Sequence, residues 1–131
     1  MFEFDVIPIG KPRMTRSDAW RQRKCVMAYW AYKDKIQEVV KETGYKLTDT
    51  LMIEFIIPMP KSWSKKKCAL HDGTYHTQKP DIDNLAKAFM DSVSSSDETV
   101  HTLLANKSWG VVGKIRVYQG IFDGHRRLFR D

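Results

Sequence analysis

Lys79 to Glu98 reads KPDIDNLAKAFMDSVSSSDE. Set out at ~100° per residue, Ile82, Leu85, Ala86, Phe89 and Val93 gather on one face of a helix, which gives it a side to bury against a sheet. Asp83, Lys87 and Asp91 follow at i, i+4 and i+8 on the other face, with Asn84 beside them. Pro80 disfavours helical geometry in the residue before it, so the helix is expected to begin at about Asp81 and run to about Val93. Asp81 then lies at or just before the first turn. Asp81 and Asp83 can converge at the helix entrance, where backbone N–H groups have no partner within the helix.

Upstream, Thr50 to Pro58 (TLMIEFIIP) is apolar, bounded by Asp49 and by Pro58 and Pro60, and reads as a strand. Phe2 to Ile9 is β-rich and stops at the Pro8, Gly10, Pro12 cluster, which predicts an opening strand. A basic loop, GKPRMTRSD, follows, with Ser17 or Asp18 placed to cap a helix from Ala19 to about Thr43. Its apolar positions Val26, Tyr29, Trp30, Tyr32, Ile36, Val39 and Val40 recur at spacings of three and four, and Gly44 ends it. Residues 59–80 form a long connection rich in lysine and turn residues; loops beyond ~15 residues inside a small domain are usually functional or mobile. Downstream, Leu103 to Trp109 and Lys114 to Phe122 read as two strands joined as a hairpin around Gly110 to Gly113. The basic tail GHRRLFRD is expected to be loose. These elements predict an α+β fold, a small mixed sheet of about four strands with two principal helices, in one domain over residues 1–131.

The chain has 131 residues and a net charge of +6. Between residues 80 and 100 stand five acids, Asp81, Asp83, Asp91, Asp97 and Glu98, against Lys87 alone, a net −4; the remainder is therefore +10. A basic body attracts polyanions through phosphate neutralisation and counterion release. An acidic island inside it repels them unless a cation sits there, and a divalent metal reconciles the two. No run approaches the ~20 apolar residues of a membrane helix. The opening MFEFDVIPIGKPR has no basic leader or continuous apolar stretch, so a cytoplasmic protein with reduced Cys25 and Cys68 is expected. Cys68, His71 and His76 lack an obvious fourth partner for a tetrahedral zinc site.

Hard cations such as Mg²⁺ take oxygen ligands and keep several waters, so two or three carboxylates suffice. Such an ion polarises a phosphodiester and stabilises a leaving oxygen. Lys87, one turn beyond Asp83, can neutralise developing charge or orient water. Asp97 can fold back as a third ligand. The structural alternative makes Asp81 an N-cap, Asp83 a first-turn acid favoured by the helix dipole, and Asp83–Lys87–Asp91 a run of salt bridges. Lys61, Lys65, Lys66, Lys67 and Lys79 against Asp72 leave residues 61–79 at +4, which suits a phosphate-gripping loop. Lys11, Arg13, Arg16, Arg21, Arg23 and Lys24 form a second basic cluster around Trp20, which can stack on a base or pack in the core. Three functions remain open on these residues. They are a metal-dependent DNA endonuclease, a non-catalytic basic DNA-binding domain with structural acids, and another D-x-D phosphoryl-transfer enzyme. In the last class the motif typically follows a hydrophobic strand, whereas here it follows QKP and opens a helix.

The block KPDIDNLAKAFMDSV…DETV resembles the signature of RusA-type crossover junction endodeoxyribonucleases, the Holliday junction resolvases of phages and prophages. The matching residues are Lys79, Asp81, Asp83, Asn84, Leu85, Lys87, Asp91 and Asp97 with Val100. The resemblance implies Mg²⁺, with Mn²⁺ as a substitute, bound by Asp81, Asp83 and Asp97, and Lys87 assisting catalysis. It implies four-way DNA junctions as substrate, a homodimer as the active unit, and a role in DNA recombination and repair. Ser96-Asp97-Glu98 stands where the family often has two adjacent aspartates, so the third ligand is either Asp97 or Glu98. Asn84 and Asp91 are supporting positions, and Lys11, Arg13, Arg16, Lys65, Lys66, Lys67 and Lys79 are the expected DNA contacts.

Overall fold

A computed structural model describes residues 1–13, 24–94 and 97–119. Its strands are β1 (Phe2–Phe4), β2 (Thr50–Pro58), β3 (Thr102–Gly110) and β4 (Lys114–Tyr118). Its helices are α1 (Lys24–Thr43), α2 (Lys65–His71) and α3 (Ile82–Val93), and a 3-10 turn spans Asp97–Thr99. The fold is α+β, with three helices and one four-stranded mixed sheet among the described residues.

Alternation in β2 sets the layers. Leu51, Ile53, Phe55 and Ile57 are buried, while the residues between them lie on the opposite face. In register with them, Phe4, Ile115 and Phe55 form one fully buried row across three strands. The helices cover this face. From α1, Val26, Tyr29, Tyr32, Ile36 and Val39 point into the core at steps of three and four; from α3, Leu85, Ala86, Ala88 and Phe89 do so. The Phe89 ring meets Phe4 edge-on at 5.3 Å. Gly44, at φ +73°, closes α1 in the left-handed geometry that glycine adopts without strain, and its N–H donates to the Val40 carbonyl. The other sheet face carries a row of charges instead: Arg116 pairs with Glu3 at 3.2 Å and with Glu54 at 3.4 Å, and Lys114 pairs with Glu3 at 2.8 Å.

Five expectations change. The closing strands do not form a hairpin. The sheet order is β1-β4-β2-β3, with β2 standing between β3 and β4, parallel to the first and antiparallel to the second. Adjacent strands lie ~4.8 Å apart and each extended residue spans ~3.3 Å, so a linker as short as Gly110–Lys114 can step over one strand. Strand β4 ends at Tyr118 among the described residues, and β1 is only three residues long. The 59–80 connection contains α2, after which residues 73–76 run along β3: Gly73 N–H donates to Trp109 O, Trp109 N–H to Thr74 O, and His76 N–H to Lys107 O. Finally, Trp30 is 51% exposed and lies outside the buried stripe of α1. The expected helix start at Ala19 and the tail lie outside the described residues. No helix among the described residues is long and apolar enough to cross a membrane.

Candidate active site

Helix α3 enters from Pro80, which follows Lys79 through a cis peptide bond. Asp81 occupies the N-cap position with extended backbone (φ −65°, ψ 147°), and its carbonyl accepts from Leu85 N–H. Its side chain makes no capping hydrogen bond. Asp83 stands in the first turn, and both carboxylates are exposed. Neither has a hydrogen-bond or ion-pair partner among the described residues. The structural alternative holds in part, since Asp81 stands at the N-cap, Asp83 in the first turn and Lys87 beside Asp91, but it lacks the capping hydrogen bond and the Asp83–Lys87 pair. An N-cap aspartate normally accepts from the second or third helical N–H, and Asp83 would pair with Lys87. Lys87 instead turns away from Asp83 toward Asp91, at 3.9 Å.

Asp91 has a different employment. It accepts a hydrogen bond from Lys11 Nζ at 2.8 Å across eighty residues of chain and is largely buried, with a side chain only 19% exposed. Asn84 Nδ2 donates to the Lys11 carbonyl at 3.3 Å. Gly10 packs so closely on Asn84 that a β-carbon there would collide with the amide, with Pro80 also in contact range. The loop carrying Lys11 is thus docked along α3 by backbone and side chain together. Arg13 follows it, exposed; Arg16, Trp20, Arg21 and Arg23 lie outside the described residues.

From the other side, Lys107 of β3 grips the approach to the helix. Its Nζ donates to the carbonyls of Gln78 and of Pro80, the latter at 2.8 Å. A charge-assisted clamp on the two carbonyls flanking Lys79 fixes the backbone from which Asp81 projects. Lys107 and Gly10 were not singled out from the sequence. A lone lysine in a strand and a glycine beside prolines have ordinary explanations, and only tertiary contact shows their use.

Lys65, Lys66 and Lys67 occupy the first turn of α2, all exposed, and Lys79 is exposed as well. Ser64 caps this helix, accepting from Lys67 N–H at 3.1 Å. Three cations at a helix N-terminus oppose the backbone dipole, each by ~0.3–1 kcal/mol at most, so their placement is not explained by helix stability. Lys67 Nζ rests 4.5 Å from the Trp63 ring centroid, and Trp63 packs on Trp109 at 4.8 Å. His71 and His76 join this aromatic cluster, His76 at 4.2 Å from Trp109. Burial, aided by nearby Lys107, pushes the His76 pKa down, so the ring is held neutral.

The carboxylate chemistry suits a hard divalent cation: oxygen donors only, exposed to water, and not already neutralised by a described partner. Asp81 and Asp83 supply two such donors. No group of three acids, histidines or cysteines able to hold a metal comes together among the described residues. Asp97 opens the 3-10 turn, but its side chain is not among those described; Glu98 next to it is exposed.

A small α+β domain whose helix entrance carries two exposed carboxylates without an ion-pair partner among the described residues, in a chain of net charge +6, has the build of an enzyme that acts on a polyanion such as nucleic acid. The family model for endodeoxyribonuclease RusA matches residues 3–118, from within β1 to the end of β4. The chain belongs to that family and is a Holliday junction endodeoxyribonuclease of the RusA type. Comparison with curated proteins and with solved structures finds no match.

Proposed function

We propose that residues 1–131 form one domain that resolves four-way DNA junctions by Mg²⁺-assisted hydrolysis, with Asp81, Asp83 and Asp97 as the metal-holding residues. The observation that carries the reading is the pair Asp81 and Asp83, exposed at the entrance of α3 with no ion-pair partner among the described residues. When bound, Mg²⁺ (or Mn²⁺ in its place) supplies Lewis-acid polarisation of the scissile phosphate and charge stabilisation of the leaving oxygen. The remaining work falls to side chains of this chain. Lys87, exposed one turn further along α3, offers its ammonium to the charge that builds on the phosphoryl oxygens. Asp91 and Asn84 hold the Lys11 loop against the helix, and Glu98 is the alternative to Asp97 as ligand. Lys11, Arg13, Arg16, Lys65, Lys66, Lys67 and Lys79 are the residues that contact the DNA phosphates in this reading.

The active unit in this reading is a homodimer in the cytoplasm of a bacterial or phage-infected cell. Resolution requires two symmetric cuts, and one domain offers one acidic helix entrance. The exposed Leu103 and Leu104 of β3, a strand at the end of the sheet order, are surface that a second copy can cover. The test is incubation with a synthetic four-way junction and a linear duplex of the same arms, in Mg²⁺ or in chelator. Paired cuts in the junction alone, and only with metal, are expected. Equal cutting of the duplex, or cutting in chelator, contradicts the proposal. Tight junction binding with no cutting in Mg²⁺, or with Mn²⁺ in its place, identifies a non-catalytic DNA-binding domain.

A further inference from the structure

Trp30 stands apart from the aromatic residues around it. Tyr29 and Tyr32 are buried in the core, whereas the Trp30 indole is half exposed on the outer side of α1. Single exposed apolar side chains are ordinary. What distinguishes this one is its surroundings. It forms one wall of an open groove of about 400 Å³, whose other lining residues are Lys11, Tyr29, Lys33, Lys87, Asp91 and Ser94. Lys33 Nζ lies 5.3 Å from the centroid of the Trp30 ring and 5.6 Å from that of Tyr29. The groove therefore sets a flat aromatic surface among three lysines and one carboxylate, and Lys11 already holds that carboxylate. Two of its residues, Lys87 and Asp91, belong to the helix that opens with Asp81 and Asp83.

We infer that Trp30 is a stacking platform for an unpaired base of the DNA strand whose phosphate is addressed by α3. The inference rests on the nuclease reading for the location of that phosphate. Its chemistry is independent: an aromatic face bordered by cations binds single-stranded nucleic acid through base stacking and backbone attraction, with little regard to base identity. In an intact duplex both faces of each base are already stacked. Only a base at a branch point or a strand end has a face to offer, so Trp30 contributes selectivity for branched over linear DNA rather than general affinity. Lys33 steadies the indole and faces the phosphate next to the stacked base.

The experiment measures affinity by fluorescence anisotropy, without metal so that nothing is cut. The probes are a synthetic four-way junction with unpaired thymines at the branch point and a linear duplex of equal length. Trp30→Ala is expected to weaken junction binding about ten-fold and to leave duplex binding unchanged, while Trp30→Phe keeps most of the affinity. An equal loss on both probes, no loss on the junction, or a Trp30→Phe variant as weak as Trp30→Ala overturns the inference. Denaturant midpoints of both variants, expected to lie close to that of the parent because Trp30 is half exposed and outside the core, exclude unfolding as the cause. Cutting by the unaltered protein with Mg²⁺ is assayed in parallel. If that fails while the Trp30-dependent selectivity holds, the nuclease reading is wrong and the stacking site stands.

Discussion

At the scale of single residues, charges in α3 separate into two functions that a helical wheel alone merges. Asp83, Lys87 and Asp91 are equally spaced, and spacing predicts a uniform ladder of ion pairs. Asp91 instead anchors Lys11, and Lys87 leans toward Asp91, which leaves the acids at the helix entrance without an ion-pair partner among the described residues. Lys87→Ala is expected to lower turnover on the order of 10²-fold with little change in junction affinity, because a preorganised cation acts chiefly on transition-state charge. Single-turnover rates at saturating enzyme check this; a variant that binds weakly but cuts normally when saturated makes Lys87 a phosphate contact. The D-x-D-N-L-x-K block was readable in sequence because its residue types are unusual together. Lys107 was not, since its value lies in reaching two carbonyls twenty-seven and twenty-nine positions away. Lys107→Met keeps the aliphatic stem and removes both hydrogen bonds. We expect a loss of about 1–3 kcal/mol in stability and a fall in turnover, read from denaturant midpoints and initial rates.

Among the elements, the amphipathic helices and β2 were readable because burial imposes periods of 3.6 and 2 on the residues themselves. The order of the strands was not. Gly110 to Gly113 has hairpin composition, yet the chain steps across the end of β2, and nothing local distinguishes a turn to the next strand from a turn to the one beyond. Helix α2 was hidden by its composition, for KKKCALH has no buried residue to make a stripe. Its lysines carry a prediction of their own. Each phosphate neutralised contributes about 0.9 to the slope of log affinity against log salt on duplex DNA. Replacing Lys65, Lys66 and Lys67 by alanine together should therefore flatten that slope by up to about 2.7 and weaken junction and duplex alike. An unchanged slope places DNA elsewhere.

For the molecule as a whole, the two faces of the sheet divide the labour. One is buried under α1 and α3 and places the acidic helix entrance between the Lys11 loop and the clamp from Lys107; the other carries the ion pairs of Glu3 with Lys114 and Arg116. Hydrogen bonds from Lys114 and then Arg116 hold the Glu3 carboxyl below the usual carboxylate range. Because the folded value is depressed, this stabilisation is fully present at pH well above the ordinary glutamate range and disappears as pH falls through the lowered value. The urea midpoint of Glu3→Gln should thus lie below that of the parent at neutral pH and converge with it in acid; a gap that persists in acid assigns the effect to packing. The central claim concerns the helix entrance. Asp83→Asn keeps the shape of the side chain and removes the charge that would hold a divalent ion. The decisive measurement is junction cutting by this variant beside its junction affinity and its Mn²⁺ binding by calorimetry. Lost cutting, weakened Mn²⁺ binding and unchanged or tighter junction binding are expected; cutting at a near-normal rate by Asp83→Asn would rule out the carboxylate pair as the metal-holding site.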